Sequence, residues 1–535
     1  MRLTAALVVP VLVASLGLPT AAVAAPAPEP AASALSESTL RWKDCGGGSL
    51  RRVECAFLTV PRDWGRPDSG TYRIAVGRIP AAVTPSRGVL FFNPGGPGSA
   101  GLTALDFVSR RLPDELRDSF DIVTLDPRGV GQSQPKLKAC ATTDLELPPT
   151  GRVDWAAVTA EYLDALGADL QQCLALNQNN AEFVGSWQVI RDIDALRRAL
   201  GVEKINFWGM SYGTNLGRAY AQQFPQRVRA LVLDGAITPT PTVGDYAREH
   251  IWDDITAIQT MLGAFGPKAK RAYRTVMAYL EKQTLVDDDG DDLTRWDFVG
   301  YLSGNAAYQS KWGATKKTLM EIYDAVRKER GLDRSLANRI RGDVISTRAE
   351  GSSPVFHFVN CSDMHDRPSS QVLAGAAEQA AKVGGTPLGL FPLNEGTQCA
   401  GLPPLGNALP PLAGLLRLST PPVIVNSISD NRTPWLGARE TANAFTGSSM
   451  VTYAGTQHVT YGGTSECVDA AVTPYLLNLT RPPRSVACPL IYPERVEAEP
   501  VILGAVAVAF ALMGVGALVR PRPVDVEGGR ALPRH

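Results

Sequence analysis

Four short apolar runs, Gly88–Phe92, Ile122–Asp126, Ile205–Trp208 and Ala230–Leu233, recur in the first 240 residues with longer stretches of helical period between them. Runs of this length that are apolar on both faces fit strands buried on both sides. Such strands alternating with helices specify a doubly wound, mostly parallel sheet. Ile190–Leu200 reads as the amphipathic helix ahead of the third strand, and two more strands, Val423–Ser427 and Met450–Tyr453, come only after residue 420. Residues 241–418 lose the strand signal and carry helical stretches instead (Ile251–Leu262, Lys268–Lys282, Thr318–Arg330). The expected architecture is an α/β core in two parts, 40–240 and 419–490, with a helical cap, 241–418, inserted over the strand ends.

The third strand runs straight into Gly209-Met210-Ser211-Tyr212-Gly213 and then a helix. Small residues two before and two after a serine permit a sharp strand-to-helix turn that pushes its hydroxyl into the open. A serine hydroxyl needs an adjacent base to attack. Of five histidines, His250, His357 and His365 lie in the insertion and His535 is the last residue, which leaves His458, just after the last expected strand. The acid belongs at the end of the preceding strand, where Asp430 follows Val423–Ser429. The order Ser211, Asp430, His458 then makes a nucleophile, an orienting carboxylate and a base. Donors for an oxyanion are expected from the backbone N–H of Tyr212 and from the turn Asn93-Pro94-Gly95-Gly96-Pro97-Gly98, through Gly96 or Gly95.

The two ends carry addresses. Met1-Arg2, an apolar stretch Leu3–Leu18 and Ala22-Val23-Ala24 read as a secretory signal over residues 1–24, followed by an Ala/Pro/Ser-rich flexible leader, 25–39. Pro500–Val519 is an uncharged apolar run long enough, at ~1.5 Å per residue, to span a bilayer core of ~30 Å. Glu497 and Glu499 precede it and Arg520 and Arg522 follow, so the positive-inside rule puts residues 520–535 in the cytoplasm and the large domain outside, anchored by a C-terminal transmembrane helix. Between these segments lie eight cysteines, Cys45, Cys55, Cys140, Cys173, Cys361, Cys399, Cys467 and Cys488. An even count in an exported chain reads as four disulfides, nearest-neighbour pairing being the simplest of ~105 schemes. No CxxC or His/Cys spacing suggests zinc. The acidic run Asp287–Asp292 lacks the terminal glutamate of a calcium loop and reads as solvated. Lys+Arg and Asp+Glu are both 53, so no net field recruits nucleic acid. No metal or cofactor is expected, and the oligomeric state is left open.

Taken together, Gly95-Gly96-Pro97-Gly98, Asp126-Pro127-Arg128-Gly129-Val130-Gly131-Gln132-Ser133, Gly209-Met210-Ser211-Tyr212-Gly213, Asp430-Asn431-Arg432-Thr433-Pro434 and His458 resemble the tripeptidyl aminopeptidases of actinobacteria, α/β-hydrolases related to prolyl aminopeptidase. The resemblance runs from about Trp42 to Cys488. It implies an α/β-hydrolase fold and a serine exopeptidase that releases short peptides from free N-termini through an acyl-enzyme. Pro94 stands where prolyl aminopeptidases usually have His, which argues against strict proline specificity. An aminopeptidase must also hold the substrate ammonium, and Asp363 and Glu249 in the cap are the candidates. Arg128 is expected in a structural ion pair under the sheet. The rival readings are an esterase or lipase, favoured by an all-apolar cap, and an inactive hydrolase fold used for binding.

Overall fold

The computed structural model describes residues 40–47, 52–249, 251–351 and 353–491. The signal, the leader and the C-terminal apolar run Pro500–Val519 lie outside the described residues. Within them, no helix is long and apolar enough to cross a membrane. The strands are β1 (Lys43–Gly47), β2 (Arg52–Asp63), β3 (Arg66–Ile79), β4 (Val89–Asn93), β5 (Asp121–Leu125), β6 (Ile205–Met210), β7 (Val228–Asp234), β8 (Leu285–Val286), β9 (Asp292–Leu293), β10 (Val423–Ser427), β11 (Ser449–Tyr453) and β12 (Ser485–Cys488). All but β8 and β9 form one sheet in the order β1-β2-β3-β5-β4-β6-β7-β10-β11-β12. Every pairing from β5 to β12 is parallel, and β1, β2 and β3 add an antiparallel flank.

The six strands expected from the sequence are therefore present, each within two residues of its expected ends. Their side chains alternate between two cores, as the pleat requires. Phe91, Val123, Phe207 and Leu231 pack on one face with helices Trp155–Asn177, Ser186–Ala199 and Gly213–Gln223. Phe92, Ile122, Trp208 and Val232 pack on the other with helices Gly101–Arg111 and Glu466–Asn478. From β4 the chain steps to β5 on one side and then crosses back to β6 on the other. That reversal opens a crevice beyond the carboxyl ends of β4 and β6, where open α/β sheets place their ligand sites.

Between β7 and β10 the chain is helical apart from the small β8–β9 hairpin. Helices Asp253–Phe265, Pro267–Leu280, Arg295–Ala306 and Trp312–Arg327 bury Ile258, Met261, Val276, Phe298, Trp312 and Ile322 in a hydrophobic core of their own. The acidic run closes the hairpin turn, with Asp287 paired to Arg341 and Asp289 to Arg334. The cysteines pair as Cys45–Cys55, Cys140–Cys173, Cys361–Cys399 and Cys467–Cys488. Arg128 is fully buried in a bidentate pair with Asp192 at 2.6 and 2.8 Å and also donates to the carbonyls of Pro61 and Phe183. The loop that carries it is folded around Asp126, whose carboxylate accepts from the N–H groups of Leu102 and Gln132.

Candidate active site

Ser211 sits at the carboxyl end of β6 with φ 53°, left-handed backbone that costs a non-glycine residue about 1–3 kcal/mol. The turn is tight enough to dictate its neighbours. A Cβ on Gly209 would come within 2.4 Å of the Gly213 carbonyl oxygen, and one on Gly213 within 2.5 Å of the Asn93 carbonyl oxygen. The Ser211 N–H is held by the Asp234 carbonyl at 2.9 Å, and its carbonyl accepts from the N–H and hydroxyl of Thr214.

The turn after β4 lies directly over this elbow. A Cβ on Gly95 would stand 2.9 Å from Ser211 Cβ and 3.0 Å from the Tyr212 nitrogen, and Gly95, Gly96 and Gly98 all have positive φ. The Gly95 N–H donates to Asn93 Oδ1 at 3.0 Å. Among the described residues, neither the Gly96 nor the Tyr212 N–H has an intramolecular acceptor. Of the two glycines expected to serve an oxyanion, Gly96 is thus the one with its donor to offer.

Asp430 and His458 are brought together by the loops after β10 and β11. His458 Nδ1 lies 2.9 Å from Asp430 Oδ2 and 3.2 Å from Oδ1. The carboxylate is fully buried and saturated: Oδ1 also accepts the N–H groups of Arg432 and Thr433, and Oδ2 the Thr433 hydroxyl at 2.9 Å. A carboxylate on Nδ1 favours the proton there and leaves Nε2 as the basic nitrogen. Ser211 and His458 each approach the carboxyl end of β7. Ser211 is bonded to Asp234, and a Cβ on the next residue, Gly235, would stand 3.2 Å from His458 Cε1.

The cap holds the same loops. The His458 N–H donates to the Ala307 carbonyl at 2.8 Å, and the Thr456 hydroxyl to the Ala306 carbonyl at 2.5 Å. Asn431, next to the acid, donates to Asp254 Oδ1 at 2.7 Å and to Ser303 Oγ at 2.9 Å.

Asp363 lies beside the elbow rather than out in the cap. Its carboxylate accepts from the Tyr212 hydroxyl, from Asn215 Nδ2 at 2.9 Å and from the Ser186 N–H at 3.0 Å. Burial pushes its carboxyl up, against those donors and the Arg218 guanidinium. Glu249 ends the helix Val243–Glu249. Its charge, with those of Glu395 and Asp363, reaches Tyr246, whose phenol is held well above its usual range by burial first and these carboxylates next. Asp234 and Asp254 bond to these loops without having been singled out from the sequence, and Asn93 and Thr433 stood in the motifs there with no role of their own. The one available signal was a charged residue, Asp234, closing a strand that is otherwise fully buried after Arg229. Among the described residues no group of three or more His, Cys, Asp or Glu side chains could hold a metal ion. A groove of about 720 Å³ between helix Trp155–Asn177 and the turn Gly396–Pro403 is lined by none of the triad residues.

A family model described as the alpha/beta hydrolase fold matches residues 88–462. The chain belongs to the α/β-hydrolase family. This hydrolase is 29% identical over 479 residues to serine protease Hip1 of Mycobacterium tuberculosis, covering 83% of its own chain and 88% of the relative. It is 26% identical over 504 residues to tripeptidyl aminopeptidase of Streptomyces lividans (86% and 88% covered). It is also 29% identical over 487 residues to carboxylesterase B of Mycobacterium tuberculosis (84% and 89%). Fold and relatives together make it a serine hydrolase similar to aminopeptidases.

Proposed function

We propose that this hydrolase is an exported serine exopeptidase acting on peptides with a free N-terminus. Ser211 attacks the scissile carbonyl while His458 takes its proton, and Asp430 holds the imidazole and stabilises the imidazolium. The N–H groups of Gly96 and Tyr212 receive the oxyanion of the tetrahedral intermediate, each donor of this type being worth ~3–4 kcal/mol of transition-state stabilisation. His458 then protonates the leaving amine, and water resolves the acyl-enzyme by the same route in reverse.

What supports peptide over ester is the Asp363 carboxylate held beside the elbow by the Tyr212 hydroxyl, with Glu249 and Glu395 sharing with it the surroundings of Tyr246. A substrate ammonium is stabilised by such carboxylates, whereas an acyl chain is not. Asp363, with Glu249 and Glu395 beside it, is the proposed partner of that ammonium, three donors already engaging the Asp363 carboxylate. Four disulfides fit an oxidising, extracytoplasmic setting, and the Pro500–Val519 run fits a membrane anchor whose following arginines keep the tail in the cytoplasm and the hydrolase outside.

The test is release of a chromophore from peptides of one to four residues, free or acetylated, beside a short-chain nitrophenyl ester. Turnover confined to free-amine di- or tripeptides, and abolished in Ser211→Ala, is expected. Indifference to acetylation, or cleavage of the ester alone, would leave a general esterase, the activity named for the carboxylesterase relative.

A further inference from the structure

Asp234 ends β7, and its side chain is fully buried in a strand otherwise made of Val, Ala and Leu after Arg229. A buried carboxylate costs several kcal/mol unless it is well paired, so its presence calls for a reason. Its partners supply one. Oδ1 accepts the Thr460 N–H at 2.9 Å and Oδ2 the Tyr461 N–H at 2.8 Å, while its own carbonyl oxygen accepts the Ser211 N–H at 2.9 Å. One residue is therefore bonded through its main chain to the nucleophile and through its side chain to the segment that carries the base.

That segment is strained where it matters. Val459, between His458 and Thr460, has φ 59°, a left-handed conformation that is an outlier for a β-branched residue. The two N–H bonds to Asp234 begin one residue later. Further along, Arg111 donates to the Gly462 carbonyl at 2.9 Å, and Asp469 accepts the N–H groups of Gly462 and Gly463. Released from Asp234, Val459 would relax toward an ordinary β conformation and turn His458 away from Gly235, over which its ring now lies.

We infer that Asp234 is a positioning residue of the hydrolytic apparatus, fixing the His458 loop against the Ser211 elbow by bonding to both. The inference rests on the proposed roles of Ser211 and His458 and goes beyond them. The charged groups that face Asp234 are Arg111 and His458, with Asp469 beyond Arg111 and Asp430 on His458 Nδ1. Burial raises the Asp234 carboxyl to about 6, opposed by the Thr460 and Tyr461 N–H groups, and in its ionised form its charge also favours the imidazolium.

The experiment is the rate at which a fluorophosphonate labels Ser211, together with kcat and KM on the best substrate, in the full chain and in Asp234→Asn. The amide turns one acceptor into a donor facing an N–H. Labelling and kcat are expected to fall on the order of 10²-fold, with KM changed by less than about threefold, because the loss is one of alignment rather than binding. The acid limb of the pH profile is expected to move to lower pH, since a negative charge near the imidazolium is gone. Asp194→Asn is the control. Asp194 is a buried carboxylate paired to Arg197 and Arg198, outside this loop, and its loss should lower stability without moving kcat or the acid limb. Should Asp234→Asn not fold, Asp234→Glu keeps the charge and displaces the bonds, and is expected to slow labelling with the acid limb unmoved. Labelling of a folded Asp234 variant at the wild-type rate would overturn the inference alone. Absence of labelling in the wild-type enzyme would instead overturn the role of Ser211.

Discussion

At the scale of single residues, Asp430, proposed as the acid of the site, is a carboxylate with all its lone pairs engaged, and Thr433 is responsible for two of those bonds. Its hydroxyl also lies 3.3 Å from His458 Nδ1, so it braces the Asp430–His458 pair from the side. Thr433→Val keeps the shape and removes the donor, and kcat should fall about tenfold with KM nearly unchanged, the equivalent of ~1.4 kcal/mol; Thr433→Ser should recover most of it. Equal kcat in the valine variant would show that the brace does nothing for turnover. Asp234 gives a prediction for stability as well. Its folded-state carboxyl is raised from 3.8 to about 6, so the native state holds this proton after the unfolded chain has lost it. Its contribution to stability is present in acid and is lost as pH rises from about 4 through 6, by about 3 kcal/mol in total. Urea unfolding at pH 4 and pH 7 should therefore show wild type losing ground to Asp234→Asn over that interval; a difference independent of pH would contradict it. The placement of Ser211, Asp430 and His458 after strands, and the pairing of the last two, were legible from the order of residue types along the chain. Asp234 was not, since the apolar run ends at Leu233 and a carboxylate one residue beyond a strand usually caps a turn.

At the scale of elements, the cap is tied by hydrogen bonds to both loops that carry the base and the acid. The end of helix Arg295–Ala306 takes up His458 and Thr456, and Asp254 with Ser303 takes up Asn431. A cap that swung open about its ends would break these bonds, so this half of it acts as a fixed wall of the site. Asn431→Ala removes a donor from the buried Asp254 carboxylate and should cost ~1–3 kcal/mol of stability together with a several-fold loss of kcat. Loss of stability with full activity would separate the cap from the chemistry. The parallel strands were legible because burial on both faces makes them continuously apolar. The antiparallel strands β1, β2 and β3 were not, because they are half exposed: β3 carries Arg66, Asp68, Arg73 and Arg78 among its buried residues. The four-residue strand β12 is too short to show a period at all.

At the scale of the whole molecule, the four disulfides close loops of 10, 33, 38 and 21 residues. By loop-closure entropy the Cys361–Cys399 bridge should stabilise most, at about 4 kcal/mol, and Cys45–Cys55 least, at about 2.7 kcal/mol. Paired Cys→Ser variants compared by melting should follow that order; the reverse order would place the stabilisation in local packing. Cys361–Cys399 also flanks Asp363, so its loss should reach the elbow through Tyr212 and lower kcat, which loss of Cys45–Cys55 should not. The proposed reaction is an acyl-enzyme formed at Ser211 by a substrate held through its amine. The most direct measurement is the intact mass, and the modified peptide, of the enzyme treated with a tripeptidyl phosphonate ester bearing a free or an acetylated N-terminus. A single adduct on Ser211, formed much faster from the free-amine reagent, is the predicted result. An adduct on another residue, or equal rates from the two reagents, would contradict it.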